Sequence, residues 1–216
     1  MRIVLFGATG NIGQRIVAEA LQRGHSVIGV VRDPERVKSP DSRVPLVKGD
    51  ATDPESVAKV ARGTDAIVSA ISPRPNARGL GAPSLSKAAK ALIEGARKAG
   101  VKRLLIVGGA GSLEVAPGHR LMDAKGFPEE YKAEAKEGAD SLDVYKKEGS
   151  GVDWTFLSPA AEIGPGPRTG QYRTTGDQFI TNAQGHSRIS FEDYAVALLD
   201  ELERPKYKGK RFGVAY

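Results

Sequence analysis

The most informative stretch of the 216-residue chain reads Arg2-Ile-Val-Leu-Phe-Gly7-Ala-Thr-Gly10-Asn-Ile-Gly13. The apolar residues at 2–6 are typical of a buried strand, and those at 12–21 recur at helical spacing. Glycine at position 7 permits the positive φ of a tight turn. Gly10 lets a pyrophosphate approach the backbone, and Gly13 lets the helix pack on the sheet. A strand, a glycine turn and a helix N-terminus in this order predict a dinucleotide site, the alternative being a tight turn that holds no ligand.

Further strands and helices alternate along the chain, as in a parallel sheet built of βαβ units. Short β-branched runs predict strands at residues 26–31, 44–47, 65–71, 103–107, 152–157 and 211–216. Helical spacing predicts helices at residues 57–61, 85–96 and 191–202, the last capped by Ser190 in a Ser-x-x-acid motif. We therefore expect an α/β fold, a Rossmann-like doubly wound parallel sheet with helices on both faces. It would form one domain over residues 1–216, with a small C-terminal substrate-side region whose residues 159–188 make an irregular lid segment.

Composition excludes several classes of protein and site. The chain has no cysteine, and its three histidines lack metal-ligand spacing, so we expect no metal centre. No apolar run approaches the roughly 18 residues of a membrane span, and the first apolar run is too short for a signal peptide. The net charge of +6 comes from basic residues interspersed with acidic ones, which favours a solvated surface over a nucleic-acid site. The expectation is a cytoplasmic protein that binds neither nucleic acid nor membrane.

The residues after the second strand indicate which dinucleotide is bound. An acidic residue at that place accepts a hydrogen bond from a ribose 2′-hydroxyl, whereas an arginine accommodates a 2′-phosphate. Arg32 comes first here, and its planar guanidinium suits a phosphate, so NADP(H) is favoured. Asp33 follows directly, so NAD(H) stays an alternative. A surface Arg32 that merely pairs with Asp33 or Glu35 is the other interpretation.

Two more segments follow strands whose carboxyl ends meet at the same sheet edge. Gly49-Asp50-Ala51 follows the third strand, where the Asp50 carboxylate can accept a hydrogen bond from the adenine amino group. A turn or helix-cap role is the alternative for Asp50. Ser69-Ala70-Ile71-Ser72 follows the fourth strand, where small residues leave space for a ribose. Together with the glycine turn and Arg32, these segments favour a dinucleotide crevice at that edge.

These residues resemble the atypical short-chain dehydrogenase/reductases with an NmrA-like NAD(P)H-binding domain. Within that group the chain is most similar to the bacterial proteins named as NADH-flavin reductases, which are relatives of biliverdin-IXβ/flavin reductase. The resemblance covers essentially the whole chain. Besides the glycine turn, it is carried by Val31-Arg-Asp-Pro34, Gly49-Asp50, Val107-Gly-Gly-Ala-Gly-Ser-Leu113, Asp153-Trp-Thr-Phe-Leu-Ser-Pro-Ala160, Gly166-Pro-Arg-Thr-Gly170 and Ile189-Ser-Phe-Glu-Asp-Tyr-Ala195.

The resemblance implies a role for each matching position. The pyrophosphate would be held by Gly7, Thr9, Gly10, Asn11, Ile12 and Gly13. The 2′-phosphate would lie at Arg32, and the adenine at Asp50 and Ala51. The ribose and nicotinamide side would be lined by Ala70, Ile71 and Ser72. Gly108 and Gly109 would leave space beside the nicotinamide, whose carboxamide would meet Pro159 and Ala160.

The chain lacks the proton donor of typical short-chain dehydrogenases, which is the tyrosine of a Tyr-x-x-x-Lys pair. None of its six tyrosines has lysine four residues later. Tyr131 and Lys136 miss that spacing by one residue, so only a distorted helix would present both together. Ser112, beyond the fifth strand, is the candidate hydrogen-bond donor to the hydride acceptor, and a turn-capping serine is its alternative.

The missing acid favours an acceptor that needs little protonation. A flavin or quinone spreads the arriving charge over a conjugated ring, so positioning is sufficient. The leading hypothesis is an NADPH-dependent oxidoreductase that reduces a small conjugated acceptor, with FMN or FAD as a substrate. The alternatives are an NADP(H)-binding redox-sensing regulator without turnover and a sugar-nucleotide epimerase or dehydratase.

Overall fold

The computed structural model describes residues 1–73 and 83–216 of the chain. The described strands are β1 (Arg2–Phe6), β2 (Ser26–Val31), β3 (Leu46–Lys48), β4 (Ala66–Ser69), β5 (Arg103–Val107), β6 (Glu114–Ala116), β7 (His119–Arg120), β8 (Asp153–Ser158), β9 (Glu162–Gly164), β10 (Arg173–Thr175), β11 (Arg188–Ser190) and β12 (Lys210–Ala215). The described α-helices are α1 (Asn11–Gln22), α2 (Pro54–Ala61), α3 (Leu85–Ala99), α4 (Glu129–Glu148) and α5 (Phe191–Glu203).

The central sheet has eight strands in the order β3-β2-β1-β4-β5-β8-β12-β10. Every neighbouring pair is parallel except β10 and β12, which are antiparallel. The strand order reverses between β1 and β4, which is the place where doubly wound sheets open a ligand crevice. The predicted strands all lie in this sheet, so the predicted α/β fold is confirmed.

Helices cover both faces of the sheet. On one face α1 packs with α5 against side chains such as Leu5 and Phe212. On the other face α2, α3 and α4 pack side by side against side chains such as Phe6 and Phe156. The inner strands β1, β4 and β5 are therefore buried on both faces, which explains why their sequences read as nearly continuous apolar runs.

The segments after β5 and β8 hold the elements that the sequence pattern did not predict. Strands β6 and β7 form a small hairpin, and β9 pairs in parallel with β11. Helix α4 is 20 residues long and comes between that hairpin and β8. Segment 159–188 is mostly irregular, as predicted, with β9 and β10 as its short extended pieces.

Candidate functional site

The carboxyl ends of six parallel strands lie at one edge of the sheet. In the register, Phe6 of β1 is opposite Val30 of β2 and Ser69 of β4. The end of β3 is opposite the end of β2, and the ends of β5 and β8 are opposite each other. The structure therefore brings the predicted segments to one edge, since each begins directly after one of these strands: 7–13, 32–33, 49–51, 70–72, 108–112 and 159–160.

Gly7 and Gly13 are both required by the fold itself. Gly7 has a φ of +82°, and an added Cβ would lie 2.5 Å from the Ala70 carbonyl oxygen. An added Cβ at Gly13 would lie 2.0 Å from the Gly7 carbonyl oxygen. The chain after β4 therefore passes directly against the glycine turn, and the first turn of α1 folds back on it. The clash at Gly13 is with the turn, rather than with the sheet as the sequence analysis expected.

Gly10 is different, because nothing in the fold demands a glycine there. Its φ of −77° and ψ of 168° are accessible to any residue, and an added Cβ would meet only the Gly7 carbonyl oxygen, at 3.4 Å. Gly10 is exposed and is the N-cap of α1, and within the described residues no side chain caps that helix. The first N–H groups of α1 therefore have no capping side chain. This leaves them available to donate to an anion, as anion binding at a helix N-terminus requires.

The turn after β2 carries an ion pair that the sequence analysis did not predict. Arg32 is exposed there. The Asp33 carboxylate pairs with the guanidinium of Arg36 at 3.0 Å, within a single 3-10 turn that begins at Pro34. The interpretation of Arg32 as a surface arginine that pairs with Asp33 or Glu35 therefore stays an alternative.

Asp50 forms a local turn and is still exposed. One carboxylate oxygen accepts hydrogen bonds from the backbone N–H and the hydroxyl of Thr52, both at 2.8 Å. Helix α2 is capped by Asp53 instead, whose carboxylate accepts from the Glu55 N–H. One carboxylate oxygen of Asp50 therefore forms a turn, as the alternative interpretation expected. The adenine role of Asp50 stays a prediction. Ala51 beside it is buried.

The two glycines after β5 have different reasons to be glycine. An added Cβ at Gly108 would lie 2.0 Å from the Phe156 ring, so packing against β8 excludes any side chain there. An added Cβ at Gly109 would meet no described atom within 4 Å. The space that the sequence analysis expected beside both glycines is therefore present only at Gly109. After β8, Pro159 and Ala160 are buried, and Ala160 is 3% exposed.

Ser112 is more buried than we expect of a residue that donates a hydrogen bond to the hydride acceptor. It is 9% exposed, and its hydroxyl oxygen accepts a hydrogen bond from Arg211 at 2.9 Å. Arg211 also pairs with Asp177, and the three residues line a polar cavity of about 130 Å³ against α4. Ser112 is therefore held by β12, and its catalytic role stays a prediction.

The comparisons with known proteins place this geometry in a family. The model of a family described as NAD(P)H-binding matches residues 7–205 of the chain. The chain belongs to this NAD(P)H-binding family. The matched range begins at the glycine turn and ends just beyond α5, so it includes all the strand-end segments described above.

Solved structures of similar proteins agree with this assignment. A "putative exported protein" from Burkholderia pseudomallei is 45% identical, with a TM-score of 0.89 and 100% coverage of both chains. A "putative epimerase" from Bacteroides thetaiotaomicron is 41% identical, with a TM-score of 0.87 and coverage of 100% of this chain and 96% of the other. A "putative NADH-flavin reductase" from Streptococcus pneumoniae TIGR4 is 35% identical, with a TM-score of 0.84 and coverage of 100% and 99%.

The NAD(P)H-binding family assignment supports a nicotinamide cofactor, and the residues of the strand ends fit one. An open glycine cradle, an uncapped helix N-terminus and an arginine at the end of β2 match what its phosphates need. Over residues 1–73 and 83–216, no helix has the length and apolar content of a bilayer span. Those same ranges contain no cluster of three or more metal-ligating side chains.

The NAD(P)H-binding protein lacks a Tyr–Lys pair on α4. The helix runs from Glu129 to Glu148 and contains both Tyr131 and Lys136. Residues five apart on an α-helix point about 140° away from each other. Lys136 pairs instead with Asp140, at 2.5 Å. The distorted helix that would have presented both residues together is not what the structure contains.

Part of the predicted lid of the NAD(P)H-binding protein is tied to α1 and α5. Arg168 makes a bidentate ion pair with Glu19 of α1, at 2.7 and 2.8 Å. The fully buried Asp193 of α5 accepts hydrogen bonds from the N–H groups of Thr169 and Gly170, at 2.8 and 2.7 Å. Residues 168–170 of the predicted lid are therefore held by side chains of α1 and α5.

The carboxylates of these two contacts have lowered pKa values. The hydrogen bond from Arg168 lowers the pKa of Glu19, although burial acts in the opposite direction. Burial would raise the pKa of Asp193, but the hydrogen bonds from Thr169, Gly170 and Tyr216 outweigh it and lower that pKa. Both carboxylates are therefore charged at neutral pH.

Proposed function

We propose that the protein is an NADPH-dependent oxidoreductase that transfers hydride to a small conjugated acceptor, a flavin or a quinone. The observation that carries the proposal is that Gly10 and Gly109, at the carboxyl edge of the sheet, each have room for a side chain and are nevertheless glycine. Both positions are glycine although neither the backbone conformation nor a described neighbour requires it. A ligand that passes close to both backbones, from the start of α1 to the end of β5, explains both residues.

The turn after β2 supports NADPH rather than NADH. Arg32 is exposed at the end of the strand, where a 2′-phosphate would lie. The Asp33 carboxylate, which would otherwise accept a hydrogen bond from the 2′-hydroxyl of NADH, is engaged by Arg36. The charge of this turn therefore favours the phosphorylated ribose.

The conjugated acceptor is supported by what α4 lacks. A bound nicotinamide would supply the hydride, and the chain would have to hold the acceptor in the orientation that receives it. Reduction of an isolated carbonyl also needs an acid for the alkoxide, and the Tyr–Lys geometry for it is missing. A flavin or quinone delocalises the arriving charge and takes its proton from water. The neighbour named as an NADH-flavin reductase favours the same class of acceptor.

A sugar-nucleotide epimerase is the second candidate, because a neighbour of 41% identity is named as an epimerase. That chemistry removes and returns a proton or hydride at a sugar carbon, so it needs an acid and a base beside the nicotinamide. The same missing Tyr–Lys pair disfavours it. A redox-sensing regulator would bind NADP(H) in the same crevice without turnover.

The test is NADPH oxidation by the purified protein, followed at the absorbance of NADPH with and without FMN, FAD or a simple quinone. Binding of NADPH is measured by calorimetry on the same sample. We expect oxidation only when an acceptor is present, and a Gly10→Val variant that is folded but neither binds nor oxidises NADPH. Tight binding with no oxidation by any acceptor would contradict the oxidoreductase and support the regulator.

A further inference from the structure

The edge of the sheet opposite to the candidate site carries the surplus positive charge of the chain. Three neighbouring strands begin at this edge, β5, β8 and β12. The segments that lead into them, 97–103, 146–153 and 204–210, contain ten basic residues and two acidic ones, although the whole chain has 32 against 26. The rest of the chain is therefore slightly acidic. We call these three segments the basic face.

Contacts join the three segments into one surface. The Lys208 ammonium pairs with the Asp153 carboxylate at 2.9 Å, which holds the loop before β12 at the start of β8. Asp153 is opposite Arg103 of β5 in the register. The Arg97 guanidinium donates to two carbonyl oxygens of the loop 148–150, at 2.5 and 2.6 Å, so the end of α3 also lies against this loop. The positive charges of the three segments are therefore neighbours.

Five lysines of the basic face are available to a partner. They are exposed, and in the part of the chain that the structure describes no acidic side chain forms an ion pair with them: Lys102, Lys146, Lys147, Lys206 and Lys210. Lysines in the last turn of a helix complement its dipole, which accounts for Lys146 and Lys147 in α4. The other three lysines lie outside the helices, so the helix dipole does not explain them.

The basic face extends in two directions. One strand separates β5 from β12, so the starts of these two strands are about 10 Å apart. Helices α4 and α5 cover opposite faces of the sheet, and both end at this edge, which extends the basic face across the thickness of the sheet. A broad layer of ammonium groups fits a flat anionic surface better than it fits one narrow chain of phosphates.

The aromatic and apolar side chains favour lipid headgroups as the anionic partner. Tyr207 is the one aromatic residue in the sequence of the basic face, and its ring stacks on Phe212 at a centroid distance of 4.3 Å. It is therefore not available to stack on the bases of a single-stranded nucleic acid. The large apolar side chains that the structure describes as exposed are Met1, Val115 and Tyr131, all outside the basic face. Attraction to headgroups would thus be electrostatic, without insertion of side chains, and screened by salt.

We propose that the basic face binds the surface of an anionic bilayer by electrostatic attraction to its headgroups. Because the strands begin at this edge and end at the opposite one, the bound protein keeps the crevice at the strand ends open to solution. The sequence analysis did not expect this surface, since its charges come from three separate segments of the chain. The inference does not rest on the proposed function, because it uses no residue of the crevice.

The experiment measures co-sedimentation of the purified protein with phosphatidylcholine vesicles, with and without phosphatidylglycerol, at an ionic strength of about 0.15 M. We expect binding only to the anionic vesicles, and its loss in high salt. The triple variant Lys102→Gln/Lys206→Gln/Lys210→Gln should partition about a hundredfold more weakly, because each lysine near an anionic surface contributes a factor of about five. Arginine at the same three positions keeps the charge and should keep the binding.

The matched control is Lys38→Gln/Lys87→Gln/Lys125→Gln, at three exposed lysines in segments that follow the carboxyl ends of strands. It lowers the net charge of +6 by the same three units, but at sites too far from the bound surface to interact with it through salt solution. We therefore expect it to partition like wild type. Both triple variants should also melt like wild type, because the substituted side chains are exposed.

Equal losses in the two triple variants would overturn the inference, because binding would then depend on net charge rather than on the basic face. Equal binding of wild type to neutral and anionic vesicles, or no binding to either, would overturn it too. A DNA duplex of mixed sequence is tested at the same ionic strength. Tighter binding to that duplex than to the anionic vesicles would assign the basic face to nucleic acid and contradict the proposal. Calorimetry of NADPH tests the proposed function separately, since both triple variants keep the crevice residues.

Discussion

At the scale of single residues, the glycine turn combines two separate requirements. Gly7 and Gly13 are glycine because a side chain would collide with backbone, at 2.5 Å and 2.0 Å respectively. Gly10 is glycine without any such collision. Substitutions at different glycines can therefore distinguish an effect on folding from an effect on ligand binding. The sequence motif alone does not show this difference.

The residue-scale prediction compares Gly13→Ala with Gly10→Ala. The first forces a methyl group into the Gly7 carbonyl, so we expect a loss of about 3 kcal/mol or more in the free energy of unfolding. The second should change that free energy by less than about 1 kcal/mol while weakening NADPH at least tenfold, because the methyl occupies the cradle. Urea denaturation and calorimetry measure the two effects. A Gly10→Ala variant that binds NADPH normally would place the ligand elsewhere.

Gly164→Ala is the control for the loss of a glycine. That residue has no positive φ, and an added Cβ would meet no described atom within 4 Å. It lies at the end of β9 rather than on the glycine turn. Its substitution should therefore change neither the stability nor the affinity for NADPH.

At the scale of elements, α5 depends on a buried N-cap. The Ser190 hydroxyl oxygen accepts from the Asp193 N–H at 2.9 Å and donates to the Pro167 carbonyl at 2.8 Å. The Tyr216 hydroxyl lies 2.8 Å both from this oxygen and from the Asp193 carboxylate, so its single proton is shared between the two acceptors. The predicted capping motif is confirmed in its serine half, whereas its acidic residue bonds the 169–170 segment instead of returning to the cap.

The element-scale prediction is that Ser190→Ala lowers the free energy of unfolding by about 2 kcal/mol. Removal of the hydroxyl leaves a buried N–H and a carbonyl without their partner. For a chain of this size the melting temperature should fall by roughly 4–8 °C. Ser84→Ala removes the exposed N-cap of α3 and should cost about half as much or less. Equal shifts for the two variants would contradict the role of burial at Ser190.

Helix α4 shows where the sequence pattern is insufficient at this scale. Its buried residues are Gly138, Ala139, Ser141, Leu142 and Tyr145, so the face that packs on the sheet is mostly small or polar. Such a face has no apolar periodicity to detect. Helix α3, in contrast, buries alanines, a leucine and an isoleucine at helical spacing and was predicted within a few residues of its bounds.

At the scale of the whole molecule, the predictable part of the site is the part that the parallel sheet assembles. The alternation of strands and helices places the carboxyl ends of β1 to β5 and β8 at one edge of the sheet, independently of the side-chain contacts made by the segments that follow. The partners of Gly108 and Ser112 were not predictable, because Phe156 and Arg211 are 48 and 99 positions away along the chain. Contacts of that kind depend on tertiary packing, which no local pattern encodes.

Asp193 joins three distant parts of the molecule through one carboxylate. It accepts hydrogen bonds from residues 169–170, and from the hydroxyl of Tyr216 at 2.8 Å. Its pKa in the folded protein lies below the ordinary value of 3.8, because those donors favour the charged form. Its contribution to stability is therefore complete above about pH 4 and declines as the pH falls through the lowered folded-state pKa.

The whole-molecule prediction is that Asp193→Asn lowers the free energy of unfolding by about 2–3 kcal/mol at pH 7. The amide keeps one acceptor oxygen but loses the charge and the second oxygen. Because protonation of the wild-type carboxylate has a similar effect, the difference between the two proteins should shrink below pH 4. Urea denaturation from pH 7 to pH 3 measures this difference, with Asp123→Asn as the control at an exposed ion pair. A difference that is independent of pH would show that the carboxylate charge contributes nothing to holding residues 169–170 against α5.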